Sequence, residues 1–339
     1  MSKYKLMRFE NFRYLDSFYP FKLSWMITTR CNINCNFCFL PCLLRKEEIH
    51  SIPVKDVLQW CKKHKIFSLE VFGGEPFLEI DRLIEIIKNT KKGEPYLSRI
   101  STNGTIYNKK VGKLLRDLEN FQQLQVSLDV SDSNSYFDIK GKDYFDNVIN
   151  NIKNYVRDKV PVSLSVVLST QNFHMIVDLI KLAEQLDVKN ISFDGMMCNN
   201  ANSAYHNCHL TYLEMIELKN KLTNMKSSKV KIILNNSYNS KGHNYNNCMA
   251  GFTEMTLLPN GDIYPCSLCL SDNDLKLGSI YKGIDKERNE KLKKFLKYRV
   301  SSKCRNCELP SICDGACKLV QLQRVKSFYK TIGCDDIGN

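Results

Sequence analysis

Residues 23–38 read Leu-Ser-Trp-Met-Ile-Thr-Thr-Arg-Cys-Asn-Ile-Asn-Cys-Asn-Phe-Cys, an apolar run followed at once by three cysteines. The apolar run predicts a strand, and the spacing C-x3-C-x2-C lets three thiolates bind one metal centre. Zinc ribbons instead use paired two-residue spacings that supply four ligands. A cubane [4Fe–4S] cluster normally takes four cysteines, so Cys31, Cys35 and Cys38 would leave one iron open. A zinc site and free buried thiols are the alternatives.

A cluster loop after a first strand, with Phe37 just before the third cysteine, resembles the radical S-adenosylmethionine (SAM) superfamily. The resemblance implies that the open iron binds the amino and carboxylate groups of SAM. It also implies that the reduced cluster cleaves SAM to a 5′-deoxyadenosyl radical.

The bulk composition is that of an ordinary globular protein, with 339 residues, 43% hydrophobic and 25% charged. This length predicts about two domains. No apolar run approaches the ~18–20 residues of a membrane span, and the polar N-terminus is not a signal peptide. Fifteen cysteines without such a signal indicate metal or redox use in a reducing cytosol. We therefore expect a cytoplasmic protein with no membrane partner.

The formal charge of +13 raises the question of nucleic-acid binding. The lysines are spread along the chain and no nucleic-acid motif accompanies them, so we expect no nucleic-acid partner. One denser basic stretch, Lys291 to Arg299, has helical character. It is interpreted either as a solvated helix face or as a docking surface for an acidic peptide or a reductase.

Short β-branched runs alternate with amphipathic patterns between residues 23 and 235, which predicts an α/β fold with a parallel sheet. The predicted strands are Leu23–Thr28, Ser68–Phe72, Ser98–Thr102, Gln123–Leu128, Val162–Leu168 and Asn190–Asp194. The predicted helices are Val54–His64, Leu78–Thr90, Lys109–Leu118, Tyr144–Arg157, Met175–Leu186 and Leu213–Leu222. Six units are too few for a closed eight-stranded barrel. They match the partial (β/α)6 TIM-like barrel that the family resemblance implies.

Polar and glycine residues follow several predicted strands, where parallel sheets gather their functional groups. Phe72-Gly73-Gly74-Glu75-Pro76 ends the second strand and is similar to the family's GGE(P) motif. The resemblance implies SAM contacts from Gly73, Gly74, Glu75, Ser101, Asn103, Ser127 and Asp129, with Phe37 and Val166–Leu168 against the adenine. Taken singly, each strand-end segment is also an ordinary turn, and core packing explains Val166–Leu168 equally well.

A second cysteine pattern lies near the C-terminus and reads Cys248-x12-Gly261-x4-Cys266, then Cys304-x2-Cys307-x5-Cys313-x3-Cys317-x16-Cys334. It resembles the seven-cysteine SPASM pattern in every spacing. The resemblance implies two auxiliary [4Fe–4S] clusters, three clusters in all. The second auxiliary cluster would be held by Cys304, Cys307, Cys313 and Cys334, and the first by Cys248, Cys266 and Cys317. A zinc ribbon at residues 304–317 is the alternative, but it leaves the other three cysteines unexplained.

The first auxiliary cluster would then lack one ligand, which Cys269 or His243 can supply unless the iron stays open. A polar segment near residue 240 and an Asn-Gly hairpin signal after it mark a domain boundary. We therefore divide the chain into an N-terminal extension (1–22), a radical SAM partial barrel (23–239) and a SPASM domain (240–339).

The resemblance implies an enzyme that modifies a ribosomally synthesised peptide by radical C–H abstraction, giving a crosslink or an epimer. Cys198 is then a candidate hydrogen donor and Asp194 a candidate base. Only about 22 residues precede the barrel, so leader recognition is expected from a separate protein or from the barrel itself. A flavodoxin- or ferredoxin-type protein is the expected reductant.

Three other functions stay open. A sulfatase-maturating enzyme would place an aspartate base where this chain has Ser267, which argues against that activity. A small-molecule radical SAM dehydrogenase and a non-catalytic electron-transfer protein are the others.

Overall fold

The computed structural model describes residues 21–38, 40, 51–91, 95–196, 229–234, 250–271 and 273–285, with single positions 208, 210, 214, 217, 218, 221, 222, 225, 287 and 292. Several sequence predictions lie outside these residues. They are Cys198, His243, Cys248, Cys304, Cys307, Cys313, Cys317, Cys334, most of the helix Leu213–Leu222 and most of the basic stretch Lys291 to Arg299.

The described residues form eleven strands and six α-helices. The strands are β1 (Lys22–Met26), β2 (Ser68–Phe72), β3 (Tyr96–Thr102), β4 (Gln123–Ser127), β5 (Val162–Leu168), β6 (Asn190–Gly195), β7 (Lys231–Leu234), β8 (Glu254–Leu257), β9 (Asp262–Tyr264), β10 (Gly278–Ser279) and β11 (Gly283–Ile284). The helices are α1 (Val54–Lys63), α2 (Ile80–Asn89), α3 (Lys109–Arg116), α4 (Ser133–Lys140), α5 (Phe145–Arg157) and α6 (Ile176–Gln185). Short 3-10 turns cover Pro76–Glu79, Phe173–Met175, Ser267–Ser271 and Asn273–Leu275.

All of these strands belong to one sheet, in the order β11-β10-β9-β8-β1-β2-β3-β4-β5-β6-β7. Strands β1 to β7 are parallel and follow chain order, and helices connect most of them. The sheet continues past β1 through the parallel strand β8 and the antiparallel strands β9 to β11. The predicted α/β class with a partial, open barrel is therefore confirmed.

Three features differ from the sequence prediction. A seventh parallel strand, β7, follows the six predicted ones, and helix α4 falls in a segment that was not assigned. The C-terminal part of the chain also joins the barrel sheet directly, because β8 pairs with β1 in parallel register from Lys22↔Glu254 to Trp25↔Leu257. The C-terminal part of the chain is therefore paired with β1, the strand that leads into the cluster loop.

The main core lies between the sheet and its helices. Alternate strand residues such as Leu23, Trp25, Leu69 and Val71 are fully buried there against the apolar faces of the helices. The intervening strand residues point to the other face, and several of them are polar. The sheet therefore presents a polar concave face.

A second, smaller apolar cluster connects the barrel edge to the C-terminal strands. Met26 and Leu40 pack there with Leu258, Tyr264 and residues of the turn that follows β9, and the half-buried Cys38 and Cys266 pack against the same cluster. One apolar layer therefore contacts both cysteine-bearing loops.

In the part of the chain that the structure describes, every helix is too short or too polar to cross a bilayer.

Candidate active site

A single cavity of about 460 Å³ opens at the carboxyl ends of the parallel strands. Its walls bring together Cys31, Cys35 and Cys38 with residues from β1 to β6. The predicted residues that line it are Phe37, Gly73, Gly74, Ser101, Asn103, Ser127, Asp129 and Asp194, together with the three cysteines. From the strand Val166–Leu168, Val167 reaches the cavity, whereas Val166 and Leu168 are buried in the core.

The two glycines after β2 hold the cluster loop through backbone contact. Gly74 donates its N–H to the Thr28 carbonyl (2.9 Å), and Glu75 donates its N–H to the Arg30 carbonyl (2.8 Å). A Cβ on Gly74 would lie 2.3 Å from the Arg30 oxygen, and one on Gly73 would lie 2.6 Å from the Thr28 oxygen. Neither approach is compatible with a side chain, so both glycines are required to position the loop.

Asn103, after β3, is directed at the cluster loop. Its amide donates to Asn32 Oδ1 (2.8 Å) and lies 3.8 Å from Cys31 Sγ, while its own oxygen accepts from the Thr105 N–H (3.0 Å) and hydroxyl (2.7 Å). Asn32 in turn donates to the Thr105 hydroxyl (2.7 Å). This closed network fixes the first cysteine of the loop relative to β3.

Glu75 does not line the cavity. Its side chain is fully buried behind the wall, where its carboxylate accepts hydrogen bonds from the Phe77 N–H (2.9 Å), the Thr102 hydroxyl (2.8 Å) and the Asn103 N–H (2.7 Å). Burial raises the pKa of Glu75 to about 7, although these hydrogen bonds favour the ionised form. The Glu75 side chain thus joins the turn after β2 to the end of β3, and its predicted contact with SAM stays a prediction.

Asp129 is also engaged within the protein. Its carboxylate forms a buried ion pair with Lys140, the last residue of α4, and accepts the Val167 N–H (2.6 Å). Burial opposes the charge on Lys140, but the Asp129 and Cys35 charges outweigh it and raise the Lys140 pKa. Removing one partner of such a pair typically costs about 3–5 kcal/mol, because the other charge is left buried and unpaired. Asp129 lines the cavity, but its carboxylate is already paired.

Lys140 is a site residue that the sequence reasoning missed. It lines the cavity, and its ammonium lies 5.3 Å from the centre of the Phe37 ring. The available signal was a helix with an N-cap, Asp132, and a terminating glycine, Gly141, which places Lys140 at the helix end.

Four polar strand residues that were not predicted, Glu70, Arg99, Gln125 and Ser165, contact one another or the predicted Ser101 and Asp194. Ser101 donates to Gln125 (3.1 Å), Ser165 donates to Asp194 (3.4 Å), and Arg99 pairs with Glu70 (2.5 Å). All of them line the cavity. Polar residues at alternate positions of otherwise buried strands were the signal for this surface.

Part of the cavity lining comes from the C-terminal part of the chain. Ser267 and Leu268, which directly follow Cys266, line it. Cys266 Sγ lies 3.5 Å from Sγ of the buried Cys269. This shared hydrogen bond, together with burial, raises the Cys266 pKa well above its usual value. Cys266 of the second cysteine pattern and the neighbouring Cys269 therefore lie next to the cavity that Cys31, Cys35 and Cys38 line.

The donor set fits an iron–sulfur cluster with SAM beside it. Each thiolate of a cubane binds a different iron, so its ligands need not meet at one point. Accordingly, no group of three or more His, Cys, Asp or Glu side chains in the described residues is gathered closely enough to hold a single metal ion. The cavity beyond the cysteines offers hydroxyl, amide and cationic groups, as a polar ligand such as SAM requires.

Two family models match the chain. The radical SAM superfamily model covers residues 25–183, and the model of the SPASM iron–sulfur cluster-binding domain covers residues 248–308. Among curated relatives, a probable GTP 3′,8-cyclase of Saccharolobus solfataricus is 31% identical over 172 residues, which are 49% of this chain and 53% of the relative. The chain thus spans about half the length of the curated relatives it matches.

The solved structures that resemble the chain share its fold at low identity. Streptococcus suis SuiB bound to the precursor peptide SuiA has a TM-score of 0.75 and 20% identity, and the match covers 95% of this chain and 76% of SuiB. Native anSMEcpe with bound AdoMet and the Kp18Cys peptide has a TM-score of 0.68 and 17% identity, covering 91% and 96%.

The chain belongs to the radical SAM superfamily and carries a SPASM domain. These domains imply SAM and iron–sulfur clusters as its cofactors.

Proposed function

We propose that this protein is a radical SAM enzyme that modifies a ribosomally synthesised peptide. One observation carries the proposal: Ser267 and Leu268, which directly follow Cys266, line the same cavity as Cys31, Cys35 and Cys38. A substrate in this cavity would lie near both the radical-generating site and the proposed first auxiliary cluster. The peptides bound to SuiB and anSMEcpe support a peptide as that substrate.

When bound, the cluster and SAM would supply a 5′-deoxyadenosyl radical that removes a hydrogen atom from the substrate. The chain itself positions these groups. The loop with the three cysteines is held by Gly73, Gly74 and the Asn103 network, while Ser101 and Ser127 offer hydroxyl groups to SAM. Asp194, near the end of β6, lines the same cavity and is the proposed substrate contact or base.

Three [4Fe–4S] clusters are part of the proposal. The catalytic cluster uses Cys31, Cys35 and Cys38, and the SPASM cysteines hold two auxiliary clusters that accept the electron left by C–H abstraction. The 3.5 Å distance between Cys266 and Cys269 supports Cys269 as the fourth ligand of the first auxiliary cluster. Cys198 remains the proposed hydrogen donor if the product is an epimer.

The testing experiment co-expresses the enzyme anaerobically in heavy water with short peptides encoded beside its gene, followed by mass spectrometry. Loss of two hydrogens means a crosslink or a dehydrogenation, and a gain of one deuterium alone means epimerisation. Cys35→Ala is the inactive control, and Cys266→Ala is expected to spare SAM cleavage while losing product. Untouched peptides alongside wild-type SAM cleavage contradict a peptide substrate.

A second candidate follows from the curated relatives, whose name specifies GTP as substrate. Their match covers only about half of each chain, so it supports a shared radical SAM part more strongly than a shared reaction. Anaerobic incubation of the reconstituted enzyme with SAM, dithionite and GTP separates the two. Consumption of GTP with matching 5′-deoxyadenosine formation favours the cyclase, and unchanged GTP favours the peptide.

A further inference from the structure

The buried ion pair between Lys140 and Asp129 lies at the wall of the cavity. Both side chains are at most 2% exposed, and both line the cavity beside the cluster loop. The Lys140 ammonium also faces the Phe37 ring at 5.3 Å. A full positive charge is therefore kept out of water next to the cysteines.

The backbone fixes this charge relative to Cys35. The carbonyl of Lys140 accepts the Asn34 N–H (3.2 Å), and the carbonyl of Ile139 accepts the Asn36 N–H (3.0 Å). Cys35 lies between these two amides, so the C-terminal turn of α4 and the middle of the cluster loop form one unit. Lys140 and Asp129 line the same cavity as Cys35.

We propose that Lys140 raises the reduction potential of the cluster bound by Cys31, Cys35 and Cys38, and that Asp129 limits this effect. The inference rests on the proposed function, because it requires that cluster. Reduction adds one electron from a flavodoxin- or ferredoxin-type donor, with no bond made or broken. The added negative charge is stabilised by a nearby cation, and the low dielectric of the buried site leaves that attraction largely unscreened.

The experiment is an EPR-monitored potentiometric titration of the anaerobically reconstituted full chain, without SAM. Addition of SAM to a reduced sample identifies the catalytic cluster, since its signal changes on binding to the open iron. We compare Lys140→Met, Asp129→Asn, the double variant and Lys140→Arg. The matched control is Lys142→Met, two residues away and exposed to solvent.

The expected order of potentials is Asp129→Asn highest, then wild type, then the double variant, and Lys140→Met lowest. Lys140→Met should shift the potential by at least 59 mV, a tenfold change in the one-electron equilibrium. Lys140→Arg keeps the charge and should retain most of the wild-type potential, and Lys142→Met should match wild type. The double variant leaves no charge buried and unpaired, so it keeps the test valid if Lys140→Met does not fold.

The inference is overturned if a folded, cluster-loaded variant, either Lys140→Met or the double variant, has the same reduction potential as wild type. A weaker SAM affinity with an unchanged potential also overturns it and assigns Lys140 to SAM binding. Failure of the radical SAM activity on which the inference rests is distinguishable, because wild-type protein would then show no cluster signal that responds to SAM. Failure of the peptide substrate alone leaves this titration unchanged.

Discussion

At the scale of single residues, Asn103 shows how a residue at a strand end serves the site. Its amide lies 3.8 Å from Cys31 Sγ and donates to Asn32, while its oxygen is held by Thr105. Substituting a residue that orients metal ligands commonly lowers metal affinity or activity by about 10–100-fold. The Asn103 side chain thus contributes to cluster binding by positioning the loop that carries the cysteines.

Asn103→Asp tests this role. The substitution keeps the oxygen that accepts from Thr105, but it removes the donor and adds a negative charge beside Cys31. We expect a loss of roughly 10-fold or more in SAM cleavage, with lower iron content after reconstitution. Asn108→Asp is the matched control, because Asn108 caps α3 through its oxygen and aspartate caps equally well. Equal iron content and turnover in Asn103→Asp and Asn108→Asp would contradict the assignment.

Glu75 gives a pH dependence at the same scale. Its pKa is about 7 in the folded protein, against an ordinary value of 4.5 that applies when the chain is unfolded. Below pH 4.5 both states hold the proton. As the pH rises towards 7 the unfolded chain releases it first, so the free energy of unfolding should fall by about 1.4 kcal/mol per pH unit.

The measurement is chemical denaturation of the cluster-free protein from pH 4.5 to 8, with Glu75→Gln alongside. The variant cannot titrate at this position, so the difference between the two curves isolates Glu75. The difference should change steadily up to about pH 7 and then level off. Parallel curves over the whole range would mean that the buried carboxyl stays ionised throughout.

At the scale of elements, the cluster loop depends on the close approach of the Gly73-Gly74 segment. Gly74→Ala places a methyl group 2.3 Å from the Arg30 carbonyl oxygen, so the loop must move. We expect the variant to lose most of its catalytic-cluster iron and SAM cleavage. The measurement is iron and sulfide content together with 5′-deoxyadenosine formation.

Gly112→Ala is the control for this prediction. Gly112 lies inside α3, where the nearest atoms to an added Cβ are 3.4 Å away, an ordinary contact. Alanine in a helix interior is favoured by roughly 0.5–1 kcal/mol over glycine, so cofactor content should be unchanged and stability equal or higher. Full cofactor content in Gly74→Ala would show that the loop adapts to a side chain.

The sequence predicted the long, strongly patterned elements and missed the short ones. All six predicted strands are present, because apolar runs between glycine and proline signals are local information. Helix α4 was missed because its eight residues, Ser-Asn-Ser-Tyr-Phe-Asp-Ile-Lys, carry only a weak apolar stripe. Strand β7 is four residues long, too short for periodicity to separate strand from helix.

The candidate site was predictable to the extent that it follows motifs. The three cysteines and the strand-end residues were found from spacing, but their partners were not. The pairing of Asp129 with Lys140, eleven residues away, and the burial of Glu75 behind the wall depend on tertiary packing. The sequence therefore indicated which residues gather at the site. The structure adds the hydrogen bonds and ion pairs that these residues form within the protein.

At the scale of the whole molecule, the parallel pairing of β8 with β1 joins residues more than 200 positions apart. No local sequence pattern predicts such a strand pairing. Its consequence is that the turn after β9 reaches the cavity, where Ser267 and Leu268 form part of the lining. The C-terminal part of the chain thus helps to shape the space in which a substrate would bind.

Leu268→Trp tests whether the cavity between the two parts holds the substrate. The larger ring would fill part of the cavity, and because Leu268 packs against the same apolar cluster as Cys38, SAM cleavage is measured in parallel. We expect SAM cleavage without substrate to persist, whereas peptide modification should fall at least tenfold, about 1.4 kcal/mol in transition-state stabilisation. Leu268→Met conserves volume and should modify peptide normally. Both products, 5′-deoxyadenosine and modified peptide, are quantified in the same anaerobic reaction, so that coupling is measured directly. Peptide modification at the wild-type rate in Leu268→Trp would place the substrate away from this wall, and loss of both products would mean that the substitution disturbs the SAM site itself.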